Sequence, residues 1–359
     1  MSKELQDLYT DYLISSFGPT TATGFSRLLE GEISHDQVTR FLASSAKTSA
    51  DLWRMAKPLV RQVESDDGAV ALDDSIMEKP YTDENELICW HWDHSKDRNV
   101  KGINFLTAFY VTPQTGLPVA FDLVTKTETY LDAKTGKQKR RSSMTKNERF
   151  RMLLHVCVHN QIRFKYVLSD SWYAAADNFK YIKNVLKKEF VMPLKSNRKV
   201  ALSEEERKHG QYKAVNTLDL PEGTTIRIWL EGVDFPLQLA KQVFTNEDGS
   251  VGILYLVTSD LTLPYDRLRK LYQKRSSIEV YHKSLKQNAS LEKSPTRTPT
   301  TQRNHFFASL CAYIKLERLR LGIGLNHFAL KSKIYFSALQ SAFAELVKLK
   351  AQSETAYHQ

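Results

Sequence analysis

Cysteine is scarce in this 359-residue chain: Cys89, Cys157 and Cys311 stand alone, with no CxxC pair and no even-numbered framework. Reduced thiols are the simplest account, and the spacing argues against a disulfide scaffold or a structural zinc site. No run approaches the ~20 apolar residues a membrane span requires. The opening "MSKELQDLYTDYLISS" has no long apolar centre and no small-residue cleavage site, so it does not read as a signal peptide. Internal repeats and low-complexity segments are also lacking. Acidic charge is in deficit, with 41 Asp+Glu against 51 Lys+Arg, a formal charge of +10 and a pI near 9.2. These features suit a soluble, intracellular protein with a polyanionic partner and no membrane contact. What is present in quantity is apolar material, 42% hydrophobic and 11% aromatic. That is enough to bury a substantial core, and the length suggests two or three structural units.

Residues 1–65 read as helices joined by short turns. In "TTATGFSRLLEGEISHDQVTRFLASS", Phe25, Leu28 and Leu29 fall at helical spacing and a glycine turn follows. Ser34 is then placed to cap a second short helix, with Val38, Phe41 and Leu42 on one side and His35, Asp36, Gln37 and Arg40 facing outward. The pattern fits a DNA-reading helix-turn-helix, through Gln37 and Arg40, and an ordinary helical hairpin equally well. From residue 66 the character changes. The apolar run Ala69 to Leu72 reads as a buried strand ending in Asp73 and Asp74, and "GINFLTAFYVT" and "LPVAFDLVTKT" follow as strands. Thr145 and Glu148 form a capping box for a helix, and "FKYVLSDSWYA" is a strand ending in Asp170. Residues 195–250 lose the helical period and read as β-rich. A strand then leads into one helix predicted from Tyr265 to about Lys286, and two further helices close the chain.

Two acids at strand ends and a third, Glu279, on a helix can converge across a sheet. Three such carboxylates with no lysine or arginine among them would repel, and a divalent cation is the usual remedy. Oxygen ligands favour Mg2+ or Mn2+. Two such ions can activate a water or a 3′ hydroxyl and stabilise the leaving oxygen of a phosphoryl displacement. The stretch "LYQKRSSIEVYHKSLKQ" fits that scheme. Tyr272, Arg275, Glu279 and Lys286, at offsets 0, 3, 7 and 14, would share an arc of about 60° on one helix face. Glu279 would complete the metal site while Tyr272, Arg275 and Lys286 hold phosphates. A solvated helix face, with Lys283 four residues after Glu279, is the plainer account.

At these residues the chain resembles the bacterial DDE insertion-sequence transposases with the Y-R-E-K signature. The spacing Y-x2-R-x3-E-x6-K is present in "YQKRSSIEVYHKSLK", joined by "LDDS" and "LSDSWYA" in the family order. The likeness covers roughly residues 66–322. It implies an α/β, ribonuclease-H-like core, a mixed sheet flanked by helices, in two parts (66–194 and 251–322). A β-rich insertion (195–250) divides those parts, preceded by the helical DNA-binding region 1–65. Segment 323–359 would be a C-terminal helix with a candidate dimer contact. The implied activity is cut-and-paste DNA transposition, with hydrolytic nicking at the element ends and 3′-hydroxyl attack on target DNA. Asp74, Asp170 and Glu279 would be the catalytic and metal-binding acids, holding two Mg2+ or Mn2+ ions. The implied partners are the terminal inverted repeats and target DNA, bound by a homodimer in a synaptic complex in the bacterial cytoplasm, at the nucleoid. The family pattern of an acid, the catalytic aspartate and Thr or Ser favours Asp74; Asp73 is the alternative, since strand neighbours face opposite ways. Ser276 stands where the family often has tryptophan.

Several other residues are candidates for DNA contact. The cations of residues 134–149, among them Lys139, Arg140 and Arg141, face only Glu148 as an acid in their own stretch. A phosphate-backbone role fits them, as does a solvated hairpin. Trp229 could stack on an unpaired base, though a buried strand tryptophan is the commoner outcome. His282 is placed one turn beyond Glu279. His91 and His94 fall on opposite faces of a strand, which makes zinc ligation awkward. A ribonuclease-H-like nuclease without joining activity and a transposase-derived DNA-binding regulator are the alternative functions. The helical N-terminus argues against the first, and three retained acids against the second.

Overall fold

A computed structural model describes residues 2–94 and 96–357. Four helices come first, α1 (Ser2–Ser15), α2 (Ala22–Leu28), α3 (His35–Leu42) and α4 (Ser49–Val63). Strands β1 (Ala69–Glu78), β2 (Cys89–Asp93), β3 (Arg98–Val111), β4 (Gly116–Leu123), β5 (Glu128–Leu131) and β6 (Gln138–Arg141) precede α5 (Lys146–His159). Then come β7 (Tyr166–Leu168), α6 (Ala176–Lys180), β8 (Glu189–Leu194), β9 (Lys199–Ala201), α7 (Glu204–Lys208) and β10 (Lys213–Ala214). The chain closes with β11 (Thr225–Leu230), β12 (Leu237–Thr245), β13 (Val251–Thr258), α8 (Tyr265–Gln273), α9 (Ser276–Gln287), α10 (Pro299–Ile323) and α11 (His327–Tyr357). Two compact units result: Thr48–Tyr281, and residues 1–47 together with 282–359.

The first unit is a mixed α/β layer structure around β1. Ala69, Val70, Ala71 and Leu72 are fully buried, as a strand covered on both faces requires. β1 runs antiparallel to β3 and parallel to β7, and β7 is parallel to β8. β3 is long enough to bond β2 along its first half and β4 along its second. This large mixed sheet flanked by helices is the α/β architecture expected of the catalytic core. The β-rich segment 195–250 is not set apart from it. β12 pairs with β13 from Gln238 to Thr245, so β12, β11, β9 and β10 prolong the sheet beyond β8 and β13. Pairing satisfies an edge of β13 that would otherwise be open.

Two expectations about helices change. α4, grouped by sequence with the N-terminal helices, belongs to the sheet unit. It packs along β4, with Ser49 Oγ donating to Phe121 O at 2.6 Å and accepting from Phe121 N at 2.8 Å, and it buries Leu52, Trp53, Ala56, Leu59 and Val60. The single helix expected over 265–286 is two. Between α8 and α9 the backbone bonds span three residues, Lys274 N to Leu271 O (3.1 Å), Arg275 N to Tyr272 O (2.9 Å) and Ile278 N to Arg275 O (3.0 Å). Such tightened turns advance the chain by a different angle from an α-helix, and Tyr272 and Glu279 fall on separate helices, α8 and α9.

In the second unit, Thr21 and Ser34 cap α2 and α3, and Ser34 forms a capping box with Gln37. Tyr9 stacks edge-on against Phe25 and Phe41, and its hydroxyl lies 3.1 Å from His305 Nδ1. Asn304 on α10 ties down the end of α3, donating to Leu42 O (2.9 Å) and Ser44 O (3.1 Å) and accepting from Lys47 N (2.9 Å). From Tyr335 to Ser353, the side chains of α11 are exposed. No described helix is long and apolar enough to cross a membrane.

Candidate active site

Adjacent residues on a strand point to opposite faces, and β1 sends Asp73 and Asp74 into different surroundings. Asp73 Oδ2 accepts from Arg275 Nη2 at 2.9 Å, and Arg275 Nη1 donates to Glu279 Oε1 at 2.6 Å. The guanidinium therefore bridges the two carboxylates. Burial pushes the Asp73 acid up to about 7; Arg275 pulls the other way, while Asp170 and Asp74 add to the rise. Asp170 sits at the end of β7, held by the Trp172 backbone N–H, which donates to its Oδ1 at 3.0 Å. Its acid is also raised, by burial first and by Asp74, against the pull of Arg275. Tyr272 stands in the same field. Burial lifts its hydroxyl to about 12, with Arg275 opposing and Asp170, Glu279 and Asp73 contributing.

Asp74 is saturated instead. Its Oδ2 accepts from Asn104 Nδ2 (2.7 Å) and Lys146 Nζ (2.7 Å), and its Oδ1 from the Tyr173 hydroxyl (2.8 Å). Burial opposes ionisation, but the charge of Lys146 and the hydrogen bonds from Lys146, Asn104 and Tyr173 outweigh it and hold the carboxyl below the usual range. The motif "SDSWY" has a division of labour: Asp170 faces the acids, Trp172 faces solvent, and Tyr173 turns inward to stack on Phe150 (4.9 Å) and hold Asp74. Asn104 and Tyr173 are not singled out by the sequence, which places Lys146 only among the phosphate-facing cations of residues 134–149. The neighbour of Asp170 in a strand-end turn was the one available signal.

The carboxylates are thus not free of basic neighbours, as the sequence suggested: Arg275 lies among them and Lys146 against Asp74. Among the described residues, no three His, Cys, Asp or Glu side chains are grouped to hold an ion, and Arg275 bridges the two acids it touches. The residues nevertheless fit a hard divalent cation. All are oxygen donors, and burial, which holds the Asp73 acid near 7 against the pull of Arg275, leaves a carboxylate that a hard cation would relieve. Arg275 Nε is buried with no partner, which leaves a donor available to a ligand.

The remaining candidates scatter. Lys286 pairs with Glu292 at 3.3 Å, Lys283 lies over the Phe328 ring at 5.4 Å, and His282 is buried. Gln37 engages its amide oxygen in capping its own helix, accepting from Ser34 N at 2.8 Å, while Arg40 is exposed. The basic hairpin finds acids beyond its own stretch: Lys139 with Asp132 (2.7 Å), Arg141 with Glu128 (2.8 Å) and Arg140 with Glu84 (3.8 Å). Such exposed pairs are weak and yield readily to a phosphate. Trp229 is half-buried opposite Ala201. His91 is buried, its acid constant pushed down to about 3 by burial, with Lys126 and Lys146 nearby.

A family model described as a transposase DDE domain matches residues 64–315. No curated protein matches the chain.

Proposed function

The chain belongs to the transposase DDE-domain family, and from that premise we propose that it moves an insertion sequence by cutting and pasting. Members of the family cleave and join DNA and work with divalent metal ions. The finer assignment is that this chain nicks the terminal inverted repeats of its element by hydrolysis. Water attacks the phosphorus and the P–O3′ bond breaks, the 3′ oxygen taking up a proton; the freed 3′ hydroxyl then attacks a target phosphodiester, losing its proton as the target's own P–O3′ bond breaks and its 3′ oxygen leaves protonated.

Asp73, Asp170 and Glu279 are the acids of the site. Asp73 displaces Asp74 from the first position because its carboxylate meets Arg275 and, through it, Glu279, whereas the carboxylate of Asp74 is turned to Asn104, Lys146 and Tyr173. Mg2+ or Mn2+, two per site, would supply Lewis acidity at the scissile phosphate. Asp73, Asp170 and Glu279 would hold it. Arg275 offers a planar fork suited to a phosphate. Tyr272 contributes a hydroxyl that stays protonated at neutral pH, and Lys286 a further phosphate contact by the family signature. Asp74 positions rather than reacts, fixing the middle of β1 against Lys146 and Tyr173. Recognition of the element ends falls to α2 and α3 with Arg40. A homodimer would pair two ends, which is supported by the exposed Phe336 (60%), Leu339 (48%), Phe343 (68%) and Leu346 (48%) of α11, at the three-four spacing of a helix seam.

The observation that carries the catalytic reading is the Asp73–Arg275–Glu279 bridge beside Asp170. It is tested with a duplex carrying the element's own terminus and flank, incubated with Mn2+. Asp73→Asn and Asp170→Asn should abolish nicking and keep DNA binding, while Asp74→Asn should retain some nicking. Full nicking by Asp73→Asn would return the role to Asp74. Full nicking by both the Asp73 and Asp170 variants would remove the site.

A further inference from the structure

β2 is an edge strand whose alternation turns Cys89 and His91 inward and Trp90 and Trp92 outward. The period continues past the strand to exposed His94. The His94 ring lies 6.4 Å from that of Trp92 and 5.3 Å from that of Trp172, tilted 50° to the latter. Trp172 is two residues beyond Asp170, and the backbone N–H that fixes Asp170 is its own. Because Tyr173 is drawn inward onto Phe150 and Asp74, the same turn sends the Trp172 indole into solvent. Two ammonium groups stand near its ring, Lys195 at 5.7 Å and Lys146 at 5.9 Å from the centroid.

Burial explains none of these rings. Trp90 is 53% exposed, and Trp92 and Trp172 are each 46% exposed. Leaving several indoles in water forgoes some of the largest apolar burial a side chain offers. The surface combines flat π-faces with ammonium groups and adjoins the carboxylates. That chemistry suits a ligand that is both flat and anionic, which describes a nucleotide. Bases inside a duplex are covered by their neighbours on both faces. A base that has lost its partner, at a nick or a frayed end, has a face to offer.

We propose that Trp172, backed by His94 and Trp92, is a stacking platform for an unpaired base of the strand being cut, with Lys195 on the phosphate of the same nucleotide. This deepens the transposase reading and rests on it: the platform would keep the cleaved end beside Asp170. Trp229, half-buried in β11, is not required for that role. Stacking is tolerant of sequence, because every base has a π-face.

The test compares three probes of equal length bound in EDTA: an oligothymidylate single strand, an abasic single strand with the same phosphates, and a blunt duplex. The wild-type chain should prefer oligothymidylate to the abasic strand. Trp172→Ala should lose that preference, with affinity for oligothymidylate falling by about five- to 150-fold and binding of the abasic strand and duplex unchanged. Trp172→Phe should keep most of the preference. Equal binding of oligothymidylate by wild type and Trp172→Ala, or an equal loss on the abasic strand, overturns the platform. A measurement on the unaltered protein stands beside these: oligothymidylate should quench tryptophan emission and the abasic strand should not, and equal quenching again overturns it. Failure of the wild-type chain to nick its element ends would instead strike the proposed function, whatever these affinities are.

Discussion

Replacing Asp73 with asparagine should remove catalysis and at the same time strengthen the fold. The Asp73 side chain is 13% exposed, and burial lifts its acid from an ordinary 3.8 to about 7. A folded-state pKa above the unfolded one means that the fold holds the proton more tightly than the open chain does. The stability from this group is therefore complete below about pH 4 and is lost as pH rises through about 7. At about 1.36 kcal/mol per pH unit, the rise is worth up to about 4 kcal/mol at pH 8. Asparagine keeps the shape and cannot ionise. Asp73→Asn should thus be more stable than wild type above pH 7, with the gap closing towards pH 4. Urea unfolding in EDTA, followed by tryptophan emission, reads this unit alone. All five tryptophans, Trp53, Trp90, Trp92, Trp172 and Trp229, fall within Thr48–Tyr281. A variant no more stable than wild type at pH 8, or a gap that stays constant across the range, would refute the account of Asp73 as a buried, under-compensated carboxylate.

Arg275→Ala removes the hydrogen bonds to Asp73 and Glu279; at about 1.5–3 kcal/mol for a charge-assisted bond, nicking should fall at least about ten-fold, and an unchanged rate contradicts its phosphate role. Tyr173→Phe keeps the stack on Phe150 and loses only the bond to Asp74; about 1–3 kcal/mol should go from urea stability, and no loss would show that Asp74 needs no such support. His91 is neutral in the fold, its acid constant near 3 against an ordinary 6.5, so its contribution is intact above about pH 6.5 and lost as pH falls towards 3. His91→Asn should flatten the acid limb of the stability profile by about 1.36 kcal/mol per pH unit, and parallel limbs would count against a buried neutral imidazole. Phe343→Glu places a charge in the exposed seam of α11; sedimentation equilibrium should show monomer, and an intact dimer would move the contact elsewhere.

Much of this molecule was legible because it is local. The Thr145 and Glu148 capping box of α5, the Ser34 cap of α3 and the buried AVAL run of β1 follow from interactions within four residues or from strand alternation. The order of two aspartates and a later glutamate along the chain pointed to a DDE transposase, and the family match over residues 64–315 agrees with it. Proximity of Asp73 and Asp74 in sequence fixed that they face opposite ways. It could not say which face meets Arg275, two hundred and two residues away.

That choice was tertiary. Only the packing of α8 and α9 on the sheet decided that Asp73 meets the guanidinium while Asp74 meets Lys146, Asn104 and Tyr173. The break at Lys274 and Arg275 was likewise invisible to a helical wheel, because a stretch of three-residue hydrogen bonds leaves no residue type as its mark. Charge pairs such as Arg140 on β6 with Glu84 in the connection before β2 join distant segments, so composition along one stretch could not count them. Alternation and capping are set by backbone geometry over a few residues, and the sequence holds them whole. Which carboxylate finds which cation depends on how distant surfaces are brought together, and that exists only once the chain has folded.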